Sequence, residues 1–291
     1  MTLSIPTDAL FVPTDEQGRQ FQDDEVTFWS VPEEGENGTV VPGRIIEAAA
    51  GGVRMLDLDH LLDQLGARIF VASESGGEPT LSAETMWSLR AAAAFALDCA
   101  EHVLGTAGGA PQEITQTLAD VVTASRKWLA EAADADTGLL GRFSRLATAR
   151  RLRRQGDQLG ALALDLAVDA EAADLDILDD PSWTAVAATR DAVLAAVEAV
   201  RHDAAPHLTE SESARYEEGG AAPKQPASGT FDTPWGPFRT GLRKGVVPAW
   251  IAANEAAERA RRSVEDAAGP EAAGAERAWQ LDRLAKALRG E

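Results

Sequence analysis

A chain of 291 residues, 45% of them hydrophobic, is long enough for one large domain or two ordinary ones around a buried core. Its formal net charge of −20 repels phosphate backbones, which sets nucleic acid aside as a partner, and its single cysteine, Cys99, excludes an internal disulfide and multi-cysteine metal or redox motifs. No apolar run reaches the roughly 18–20 residues of a membrane span and MTLSIPTDAL lacks the basic start of an export signal, so the expectation is a cytoplasmic protein without a membrane partner.

The first elements read as β-rich. DEVTFWSV (24–31) is a β-branched and aromatic run, PEEGENG supplies turn chemistry and TVVPGRII (39–46) resumes the apolar pattern, predicting a hairpin with a long loop. Pro42 lacks the donor a central strand needs and places its strand at an edge or ends it early. LDLDHLLDQLG predicts a short helix capped by Asp57 or Asp59 and stopped by Gly66, and ARIFVAS (67–73) predicts another strand. SESGGEPT (73–80) reads as a connection.

From residue 80 the apolar period becomes helical. Met86, Leu89, Ala93, Leu97, Ala100 and Leu104 mark a first long helix, and Ile114, Leu118, Val121, Ser125, Trp128 and Ala132 a second. A third helical stretch, about 139–178, changes its apolar face near Gly156, which predicts a break between Gly156 and Gly160. Asp180-Pro181 starts a fourth as cap and first residue, with Trp183, Val186, Val193, Val197 and Val200 as its stripe. EEGGAAPKQPASGT has linker composition, and two further helices, about 248–267 and 271–289, meet at Ala-Gly-Pro. The expected fold is mainly α with a small α+β N-terminal part, a helical bundle plus a C-terminal helical hairpin. Its divisions fall at 1–78 for the α+β unit, 79–218 for the bundle, 219–247 for a linker and aromatic latch, and 248–291 for the hairpin.

Charge is laid out in blocks. Residues 139–154 carry +6 and residues 155–218 carry −12, and blocks of opposite sign in one chain tend to meet. Arginine outnumbers lysine 23 to 4, the coding bias of a GC-rich bacterial genome; a halophilic origin would also explain the acid excess with sparse lysine. The cluster RFSRLATARRLRR (142–154) nominates Arg150, Arg151, Arg153 and Arg154 as an anion-binding site, with pairing to Asp165, Asp169 and Asp176 as the competing account.

Metal chemistry finds little support. Asp165 and Asp169 stand one helical turn apart and could share a magnesium ion, yet Pro181 starts a new helix where a further acid is required. His60 lies among Asp57, Asp59 and Asp63, residues that a cap and a solvent face explain equally well. No nucleophile with a definable base is present, so no catalytic residue, metal or cofactor is nominated, and whether the chain is an enzyme stays open.

The segment FDTPWGPFRTGLRKG (231–245) concentrates three aromatics and three cations, which a pure linker does not carry. Phe231, Trp235, Phe238, Arg239 and Arg243 either latch onto the chain's own helices, form an epitope for a protein partner or cover a ligand. The functional expectation is a protein-interaction or scaffolding protein that makes contact through this segment and the arginine cluster. The alternative is an enzyme or sensor that binds a small phosphorylated ligand, with magnesium as an accessory. Alanine-rich helices with wide apolar faces suit a homo-oligomer as well as an internal core.

Overall fold

The sequence EVTFW can alternate only one way: Thr27 and Trp29 turn inward and are buried, while Val26 and Phe28 face out. That strand belongs to a computed structural model that describes residues 5–6, 8–22, 25–34, 40–48, 52–75, 77–107, 112–131, 181–204, 230–233, 236–239 and 248–291. Two compact units divide the chain, Met1–Ala92 with Ala278–Glu291, and Ala93–Arg277.

The first unit is built on strands β1 (Leu10–Thr14), β2 (Arg19–Gln22), β3 (Glu25–Trp29), β6 (Gly43–Glu47), β7 (Arg68–Ser75) and β8 (Glu78–Glu84). They form one antiparallel sheet in the order β1-β7-β8-β6-β3-β2, curled into a nearly closed barrel. Strands β4 (Glu33–Glu34) and β5 (Val40–Val41) pair as the arm of the β3–β6 hairpin, and Pro42 separates β5 from β6. Val12, Trp29, Phe70, Ala72 and Leu81 fill the interior, with Val31, Ile45, Val53 and Met55 packed against them.

The seam between β1 and β2 is filled by the segment that precedes α1 (Leu58–Leu61). Leu56 exchanges both main-chain hydrogen bonds with Phe11, at 2.7 and 2.8 Å. Buried Gln20 donates from Nε2 to the Arg54 carbonyl at 2.7 Å and accepts at Oε1 from the Trp29 indole at 3.3 Å, so the largest ring of the barrel is buried with its N–H satisfied. At the β1–β2 turn, Asp15 Oδ1 accepts the N–H groups of Gln17 and Arg19 at 2.9 Å, and Gly18 at φ +79° brings its carbonyl to the Trp29 N–H.

Beyond β8, Thr85 donates to the Ile69 carbonyl, and the Trp87 indole donates to the Gly66 carbonyl at 2.9 Å. Helix α2 (Leu89–His102) then begins with Ser88 Oγ accepting the Ala91 N–H. The end of α6 (Pro270–Arg289) is part of this unit. Leu284 and Leu288 are buried, and the Met86 N–H satisfies the Leu288 carbonyl that the helix terminus leaves without a partner.

In the second unit, α4 (Pro181–Ala204) is its central rod: every residue from Ala188 to Val200 is buried, as in a helix covered on all sides. It runs antiparallel to α5 (Ala249–Ala268), since Thr189 meets Ser263 and His202 meets Trp250. Ala249, Ala252, Ala253, Ala256, Ala257 and Ala260 recur at helical spacing on the buried face of α5, and their small side chains let the backbones approach closely. A 3₁₀ turn (Leu104–Ala107) brings Thr106 to this seam, where its hydroxyl lies 2.5 Å from that of Ser263. Helix α3 (Gln112–Glu131) contributes Arg126, which bridges Asp98 and Glu101 of α2. Strands β9 (Thr230–Thr233) and β10 (Gly236–Arg239) form a separate antiparallel hairpin.

The mainly α expectation is overturned. The described residues are 59% helix and 20% strand, and a six-stranded, nearly closed antiparallel barrel-like sheet stands at the N-terminus, so the chain is not a mainly helical bundle. LFVPT, RQFQ and EPTLSAE read weakly as strands because proline and polar residues lower their propensity; each gains its stability from a neighbouring strand. The connection SESGGEPT is the tip of the β7–β8 hairpin, its outer residues paired within the two strands and its turn made with Gly77 at φ +86°. The first long helix consequently starts at Leu89, and Met86 lies ahead of it and is 51% exposed.

Two measurements test this packing. A Cβ on Gly43 would lie 2.2 Å from the Ser30 carbonyl oxygen, so Gly43→Ala should lower the unfolding free energy by about 2–3 kcal/mol in urea titration. A loss below about 0.5 kcal/mol would mean that β6 does not cross β3 this closely. The second concerns His202, which burial holds at a pKa of about 4 against an ordinary 6.5 and whose Nδ1 has no hydrogen-bond partner. The unfolded chain binds that proton more readily, so stability is full above pH 6.5 and falls by about 3 kcal/mol as pH drops toward 4. His202→Phe should remove that part of the slope in denaturant midpoints measured across this window.

Candidate interaction surface

GRIIE places two isoleucines side by side, and in a strand they must face opposite ways. Ile45 turns toward the barrel core and Ile46 outward, where it is 71% exposed. The register sharpens this: Trp29 pairs with Ile45 and Phe28 with Glu47, so a bulge sets two residues of β6, Ile46 and Glu47, against the single residue Phe28. Phe28 is 37% exposed, and Arg19 of β2 is its register partner on the other side. Arg44 precedes Ile46 by two residues and is also exposed. A row of Arg19, Phe28 and the bulged pair Ile46 and Glu47, with Arg44 beside it, therefore runs across three strands on the outer face of the barrel.

Two features make this face firm. Asp15 Oδ2 accepts from Arg19 Nε at 2.6 Å, which ties the cation at the edge of the row. On the inner side, Trp29, Thr27 and Gln20 are buried, so the strands that carry Phe28 and Arg19 are held from within. The combination of an aromatic ring, a branched aliphatic and arginine on a rigid sheet is the composition of interface hot spots.

Of the residues singled out in the sequence, Phe231, Phe238 and Arg239 fall on the β9–β10 hairpin, whose register makes Phe231 and Phe238 direct partners and pairs Arg239 with Thr230. Trp235 and Arg243 lie outside the described residues, as do Arg150, Arg151, Arg153, Arg154, Asp165, Asp169 and Asp176. His60 does not join a cluster: Asp57 caps α1 by accepting the His60 N–H at 2.9 Å and lies 2.7 Å from its ring, and the bond from that N–H holds the Asp57 carboxyl below the usual carboxylate range. Among the described residues no group of three His, Cys, Asp or Glu side chains is placed to hold a metal ion. Cys99 is fully buried in α2.

Elsewhere charge is matched locally. Arg126 faces Asp98 and Glu101; burial works against its charge, and the two carboxylates outweigh burial and hold it protonated. Arg68 makes a bidentate contact with Glu84 at 2.7 and 2.5 Å and lies 4.9 Å from the centre of the Phe70 ring. Among the described residues no helix is long and apolar enough to cross a membrane. Comparison with protein-family models, with curated proteins and with solved structures finds no match to this chain.

Sequence reasoning passed over Phe28 and Ile46, although the signal was present. A strand apolar on both faces, V-T-F-W opposite R-I-I, has more apolar side chains than one core can take. Outward and inward positions should separate in a stability experiment. Ile46→Asp is expected to change the unfolding free energy by less than about 0.5 kcal/mol, whereas Leu81→Ala, at a fully buried position, should cost about 2–5 kcal/mol in the same denaturant titration.

Proposed function

We propose that this chain is a protein-interaction module that docks a partner on the outer face of its barrel, with the aromatic and basic segment around Phe231, Phe238 and Arg239 as a second contact. The observation that carries the reading is the β3–β6 bulge, which turns Phe28 and Ile46 to solvent on a sheet held rigid from the other side. An aromatic anchor that is ordered before binding loses little conformational freedom on docking, so most of its burial is retained as affinity. A net charge of −20 steers the encounter toward a basic partner surface.

Affinity capture from the native cell extract tests this with three baits of equal folded fraction: the unmodified chain, Ile46→Asp with Phe28→Ser, and Phe238→Ser. A partner recovered by the unmodified chain should bind the double variant at least about thirtyfold more weakly, the loss of a hot spot worth about 2 kcal/mol. Identical recovery by all three baits would remove both surfaces from the mechanism.

A further inference from the structure

Helix α6 ends in a turn whose carbonyls are taken in succession. The Glu291 N–H donates to the Lys286 carbonyl at 3.0 Å and the Gly290 N–H to the Ala287 carbonyl at 3.2 Å, with Gly290 left-handed at φ +77°. The next carbonyl, that of Leu288, accepts the Met86 N–H at 2.9 Å. The Met86 side chain lies over the same turn: a Cβ on Gly290 would stand 3.1 Å from its Cγ and 3.7 Å from its Cε, the two carbons bonded to its sulfur. Met86 is nevertheless 51% exposed, so solutes reach a thioether that also packs on main chain.

The residues on either side of Met86 are anchored. Thr85 donates its N–H and its hydroxyl to the Ile69 carbonyl, both at 2.9 Å, and the Trp87 indole donates to the Gly66 carbonyl. A disturbance of the contact therefore falls on the last turn of α6.

We propose that Met86 is an oxidation site for peroxides, and that its conversion to the sulfoxide loosens the last turn of α6 from the segment that follows β8. The sulfur attacks one peroxide oxygen: an S–O bond forms, the O–O bond breaks, sulfur loses two electrons and, with hydrogen peroxide, the second oxygen leaves as water. The product places a polar, chiral group where an apolar one lay on Gly290. A thiol-dependent sulfoxide reductase reverses the step, joining two thiols as a disulfide and releasing water. Met55 is the internal reference, since it packs against the barrel core and is less open to solvent.

Treatment of the whole, ¹⁵N-labelled chain with hydrogen peroxide tests this, read by mass spectrometry of the methionine peptides and by amide exchange. Sulfoxide should form at Met86 about tenfold faster than at Met55. In the oxidised chain the Met86 and Gly290 amides should exchange at least about fivefold faster than before, and reduction by a sulfoxide reductase should restore them. Met86→Leu keeps the main-chain bond and cannot form a sulfoxide, so its exchange should be indifferent to peroxide. Oxidation of Met55 as fast as Met86, sulfoxide at Met86 with unchanged exchange, or the same acceleration in the Leu variant would each overturn the proposal.

Discussion

Closing the seam between β1 and β2 is the constraint on which the N-terminal unit rests. Six antiparallel strands leave two edges, and an open edge is a row of unpaired main-chain groups ready to pair with another chain. Here the segment before α1 enters the gap: Leu56 pairs with Phe11 on one side, and the Arg54 carbonyl takes the Gln20 amide on the other. The same glutamine accepts the Trp29 N–H, so one polar side chain closes the barrel and permits its largest ring to be buried. Because side chains alternate along a strand, fixing Trp29 inside also fixes Phe28 outside. The geometry of the outer face is thus a consequence of how the interior is sealed.

The second unit obtains its rigidity from close backbone approach. With alanine at nearly every contact of α5, the α4–α5 interface gains little from the burial of any one side chain and much from the continuity of contact along two helices. Close approach also brings three hydroxyls together. Thr106, Thr189 and Ser263 meet within 2.5 to 3.2 Å of one another while also facing the carbonyls of Val103 and Ala185. Three hydroxyl protons serve six such contacts, so the carbonyls and the neighbouring hydroxyls compete for them and the three groups act as one unit. A larger apolar residue at any of these positions would have to force the helices apart.

Helices announced themselves in the sequence because their signal is local. Pro181 as a first helical residue and Gly269 after the last turn of α5 mark boundaries that hold in the structure at Pro181–Ala204 and Ala249–Ala268. Asp57 is legible as a cap for the same reason. The barrel was harder to read because its closing pairings are distant in sequence: LFVPT pairs with β7, and Thr80 and Leu81 of EPTLSAE reach β6, whereas RQFQ, which pairs with its neighbour EVTFW, is polar enough to hide as a strand. The candidate site divides in the same way. Ile45 and Ile46 were legible as a two-faced strand, whereas the bulge that sets Ile46 beside Phe28 is a property of register.

Charge and shape act on association at different ranges, and the chain separates them. The net −20 is felt over a distance set by ionic screening, about 8–10 Å at physiological salt, and on the proposed reading sets how often a basic partner arrives. The row on the barrel acts only at contact and carries both signs: Arg19 is tied to Asp15, exposed Glu47 is the register partner of Phe28, and exposed Arg44 lies two residues from Ile46. On the proposed reading, a partner drawn by the net charge must still match a contact row of mixed sign around Phe28 and Ile46. Requiring both conditions is more discriminating than either alone, because a uniformly basic surface would match Glu47 but set like charge against Arg44. On that reading rigidity of the sheet strengthens the discrimination, since Phe28 and Ile46 cannot shift away from a mismatched contact without disturbing the buried Thr27 and Trp29 on the inner side of the same strand.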